Sequence, residues 1–127
     1  MERVARSLAP GGRGYVLCNW IDRGGSWSDP VRGWLASLDT DAVVARVREL
    51  TPSEYAAVWT RALPAPERLA AATEWAGALE VDGVQRIHVG VIALGRSRVA
   101  LGRSSVALLE RGTDDITWRT VEGILAA

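Results

Sequence analysis

Three features of this 127-residue chain predict an α+β fold: a strand-type apolar run at 15–21, a central block with helix-start signals, and a C-terminal part whose apolar residues alternate. The expected architecture is an antiparallel sheet of about four strands. A first strand is followed by a helical insertion and then a three-stranded meander, and a C-terminal helix packs on the sheet.

Residues 1–14 end in Pro10-Gly11-Gly12-Arg13-Gly14 and read as a flexible lead-in, which leaves 15–127 as a single domain. Tyr15 to Ile21 (YVLCNWI) is rich in strand-forming types and bounded by glycines, hence a strand. Both of its faces are largely apolar, as suits a central strand covered on two sides. Ser28-Asp29-Pro30 looks like a helix start, a capping side chain followed by proline in the first turn. The element it opens, Val31 to Leu38, is short and contains Gly33, so a strand is the alternative there. Val43, Val44, Val47 and Leu50 fall at helical spacing, so 42–50 reads as a helix. Thr51-Pro52-Ser53-Glu54 has the form of a capping box, in which each of Thr51 and Glu54 bonds the other's backbone N–H. That helix runs to about Leu63, where Pro64 and Pro66 stop it. Another begins at Pro66-Glu67 and continues to about Leu79, with Gly83 closing the block.

From Val84 to Leu94 the period changes to two: Ile87, Val89, Val91 and Ala93 alternate with Arg86, His88 and Gly90, hence a strand. A seven-residue repeat follows, ALGRSRV at 93–99 and ALGRSSV at 100–106. Its glycines and serines favour turns over a heptad. The reading is a turn at 95–97, a short strand at 98–101, a turn at 102–104 and a strand at 105–111. Thr113 or Asp114 then caps a final helix over 115–127, with Ile116, Val121, Ile124 and Leu125 turned to the sheet.

The composition removes several chemistries. All fifteen basic side chains are arginine, so no lysine is present for a Schiff base or a P-loop. One histidine and one cysteine cannot build a four-ligand Cys/His zinc site in one chain. No cofactor is implied. No apolar run is long enough to span a bilayer, and a lone cysteine fits a reducing cytoplasm. Charge is uneven. Residues 26–83 carry five arginines against nine acids, and 84–112 carry five arginines against Glu110 alone. A basic segment following an acidic one suggests either internal neutralisation or a face for an anionic partner.

The candidate binding residues follow from that asymmetry. Arg86, Arg96, Arg98 and Arg103 lie at expected strand ends and turns, where guanidinium forks can grip phosphate or carboxylate groups. His88 shares a strand face with Arg86 and is the one side chain that titrates near neutrality when unperturbed. Trp20 lies in the first strand, and Trp27 sits in a Gly-Gly-Ser-Trp-Ser loop, where an exposed indole suggests a lid or a partner contact. The function expected is a non-catalytic binding domain, homo-oligomeric, whose arginine-rich meander engages an anionic protein or nucleic acid. The alternative is a small-molecule binder or proton-transfer enzyme, with Trp20 and Trp27 walling a pocket and His88 as acid or base. A further possibility is a subunit whose sheet edge pairs with a copy of itself.

Overall fold

The computed structural model describes residues 1–96, 105–111 and 116–126. Its described elements are α1 (Glu2–Ser7), β1 (Arg13–Asp22), α2 (Asp29–Leu35), β2 (Asp41–Leu50), α3 (Pro52–Thr60), α4 (Ala65–Val81), β3 (Arg86–Gly95), β4 (Val106–Glu110) and α5 (Trp118–Ala126). The α+β class holds. The sheet is mixed, in the order β1-β3-β2-β4. β3 pairs antiparallel with both β1 and β2, and β4 lies parallel to β2.

Two expectations need correction. Residues 42–50 form strand β2, not a helix. The antiparallel meander is replaced by this mixed sheet, because the strand at 106–110 joins β2 and runs parallel to it. The expected short strand at 98–101 and the turn at 102–104 lie outside the described residues. Within the stretch read as a lead-in, residues 2–7 form α1, which buries Ala5 and packs Met1, Val4 and Leu8 against the sheet.

Prolines stand in the first turns of α2, α3 and α4, but the expected capping side chain is realised only at α3, and Ser28 at the start of α2 makes no side-chain cap bond. Pro30 stands in the first turn of α2, and Val31 and Leu35 one turn apart are its buried residues. Thr51 Oγ1 accepts from Glu54 N at 3.2 Å, and Thr51 N donates to Glu54 Oε2 at 2.7 Å. That backbone donor, more than any other group, holds the Glu54 carboxyl below its ordinary value. α4 packs chiefly on α3 and buries only Ala76.

Apolar residues cover both sheet faces. On one face Trp20, Val44, Ile92 and Leu94 meet α1 and α2. On the other, Val43, Ala45, Ala93 and Leu109 meet Val121 and Leu125 of α5. Farther along this second face, Leu50 and Ile87 pack with Tyr55 of α3 and Leu79 of α4. The middle of this second face, between α5 and the α3–α4 pair, is only partly covered.

Candidate functional site

Sequence-predicted residues Trp20, Trp27 and His88 come together on the face under α2. Register places Trp20 directly opposite His88. Gly24 and Gly25, at φ +108° and +92°, turn the chain after β1 through conformations that side-chain-bearing residues rarely adopt. The following residues return Trp27 over the sheet, and its carbonyl accepts from Trp20 Nε1 at 2.8 Å. The ring centroids lie 5.8 Å apart for Trp20 and His88, and 6.4 Å for Trp27 and His88. Gly90 makes room for the Trp20 indole: a Cβ there would sit 2.8 Å from Trp20 Cη2 and against the Ala45 carbonyl.

His88 is 1 % exposed. Its Nε2–H donates to Asp22 Oδ2, while Asp22 Oδ1 accepts from Gly24 N at 3.2 Å. Nδ1 has no partner among the described residues. Above Trp27 the Arg46 guanidinium stands 4.9 Å from the ring centre. Arg46 also pairs with Glu49 at 3.0 Å and with Glu110 at 2.6 Å. Glu49 in turn accepts from Arg86 Nε at 2.9 Å. The result is a closed polar ladder across β3, β2 and β4.

Of the predicted arginines, the two described ones do not gather. Arg86 and Arg96 stand at opposite ends of β3, roughly 33 Å apart at the usual rise of a strand. Arg86 is paired with Glu49. Arg96 Nη1 donates to the Leu8 carbonyl at 3.0 Å, tying α1's exit to the sheet. Arg96 borders a cleft of about 420 Å³ shared with Glu2, Arg6 and Asp39, in which two guanidiniums face two carboxylates. Arg98 and Arg103 lie outside the described residues. Cys18, on β1, is half-buried, and burial pushes its thiol pKa up, away from nucleophilic chemistry.

A second feature was missed by sequence reasoning. On the partly covered face, Val47, Val91 and Ala93 floor an apolar cleft of about 320 Å³, walled by Ile116, Trp118 and Val121. The Trp118 indole is 61 % exposed and packs edge-on against Tyr15, with centroids 5.0 Å apart. Register sets Arg48 beside Val89 at the margin of this strip, exposed and without an ion pair among the described residues. Val47 follows Val43 and Ala45 into the cleft by ordinary alternation, and the bulge between Arg46 and Arg48 shifts the register so that Arg48 and Leu50 fall on the same face. Reading 42–50 as a helix concealed that arrangement.

Among the described residues no His/Cys/Asp/Glu group is arranged to hold a metal ion, and no helix is long and apolar enough to cross a membrane. No protein-family model matches the chain, and no curated protein is significantly similar to it.

Proposed function

We propose that this chain is a non-catalytic binding domain whose partner is a protein segment with an apolar anchor and a flanking acidic group. The anchor enters the cleft floored by Val47, Val91 and Ala93, and the acidic group meets Arg48. The observation that carries this reading is an apolar cleft of about 320 Å³, of ligand-pocket size, opening beside a largely exposed Trp118. Exposed indoles beside apolar pockets are common anchors of binding energy. Arg48 supplies the cation that the expected anionic partner requires: it is exposed and makes no close ion pair among the described residues, with Glu54 near enough only to feel its charge, whereas Arg86 and Arg46 hold carboxylates directly. An acid–base role for His88 draws no support from this geometry, since the ring is sealed from solvent.

The test is selection from a random peptide display library, followed by binding measurements with the selected peptides. Selected peptides are expected to share one apolar residue next to Asp or Glu. Val47→Glu is expected to weaken them at least tenfold, and Arg48→Glu to shift preference toward basic flanks. Selection of no common sequence, or affinities indifferent to both substitutions, would refute the reading.

A further inference from the structure

β1 is an edge of the sheet, and no described strand pairs with its outer side. It is ten residues long, against five for β4 at the other edge. Natural edges are blunted by lysine, proline, bulges or short length, since unpaired N–H and C=O groups invite another strand. β1 has none of these devices. Gly14 to Ile21 carries no charge and no proline, the chain has no lysine, and the β1–β3 register is unbroken. Its only charges are terminal: Arg13 reaches to Glu122, and Asp22 turns inward to His88. At its centre Leu17 is 81 % exposed, a large aliphatic side chain standing in water.

We infer that β1 pairs antiparallel with β1 of a second copy, joining two four-stranded sheets into one of eight. The seam borders the cleft, since Leu17 is the register partner of Val91, but the inference rests on the outer edge of β1 and not on what the cleft binds. A two-fold axis normal to the sheet preserves which face each residue occupies. Paired residue numbers must therefore sum to an even value. Pairing centred on Cys18 would set Arg13 opposite Arg23 of the other copy, a like-charge contact. Centring on Leu17 avoids it. That register stacks the two Leu17 side chains across the axis, sets Tyr15 beside Asn19, and removes the exposed leucine from water. A second copy is the occupant because the segment is complementary to itself in both backbone pattern and side chain.

Sedimentation of the full chain tests this, together with disulfide cross-linking of Leu17→Cys in a Cys18→Ala background. The wild type is expected to sediment as a dimer and Leu17→Lys as a folded monomer with an unchanged circular dichroism spectrum. On mild oxidation, Leu17→Cys is expected to give a covalent dimer, because residues facing across the axis lie close enough to bridge. A wild type that sediments as a monomer would overturn the inference. So would a dimer that survives Leu17→Lys and fails to cross-link at position 17. Val47→Glu, on β2 and separated from the seam by β3, should weaken cleft binding and leave the dimer intact, so failure here and failure of the cleft reading are told apart.

Discussion

His88 and Asp22 share a buried hydrogen bond whose two halves come from β3 and β1, so truncating Asp22 leaves His88 Nε2 without its partner and truncating His88 leaves Asp22 Oδ2 without its own, only Oδ1 keeping the Gly24 N–H. Leaving a buried hydrogen-bonding group without its partner costs about 1–3 kcal/mol. His88→Ala is therefore expected to lower the urea midpoint sharply. The double variant with Asp22→Ala should lose clearly less than the sum of the singles. Additive losses would show that the pair is not coupled. Gly90 is constrained from the same side. Any Cβ there presses on the Trp20 indole and the Ala45 carbonyl, and overpacking of that kind costs about 1–3 kcal/mol. The association of Trp20 with His88 was legible in the sequence only as alternation on two separate strands. That they face each other is fixed by the β1–β3 register, which no local pattern encodes.

The capping box at the start of α3 carries a pH dependence of definite sign. The Thr51 backbone N–H favours the ionised Glu54 carboxylate, so its pKa is lower folded than unfolded. The contribution is present above the ordinary glutamate range and lost as pH falls through the depressed folded value. Glu54→Ala should be less stable than wild type at neutral pH and converge with it on acidification, in parallel urea titrations. A gap that persists in acid would contradict this. Thr51→Ala should cost about 1 kcal/mol, as for other N-caps. α3, α4, β1 and β3 were legible because capping residues, prolines and strict alternation are local signals. β2 was not. Its bulge sets Val43, Val47 and Leu50 at spacings of four and three, imitating a helix stripe, while apolar cover on both faces of Ala42–Ala45 hides the alternation. α1 had a signal that went unused, since Met1, Val4, Ala5 and Leu8 recur at helical intervals just before the glycines. The cleft under α5 was illegible for the same reason as β2, because Val43, Ala45 and Val47 share a face only in an extended strand.

Stability across the molecule is uneven in a way hydrogen exchange can read. β3 is hydrogen-bonded on both sides along its length, to β1 and to β2. α4 buries a single alanine and packs chiefly on α3. Amides of β3 should exchange only through global unfolding, and those of α4 through a lower-energy local opening. Equal protection of the two would mean that α4 is anchored more firmly than its contacts show. The described sheet contains no tight hairpin: β1 waits for β3, β2 waits for β3 across the whole α3–α4 segment, and β4 joins last. During synthesis, two sticky ten-residue ribbons therefore leave the ribosome well before any template for them exists, and only the α3–α4 pair can form by itself in the meantime. A cell producing this protein quickly should accumulate it in inclusion bodies unless a holdase shields those ribbons until residue 95 has emerged.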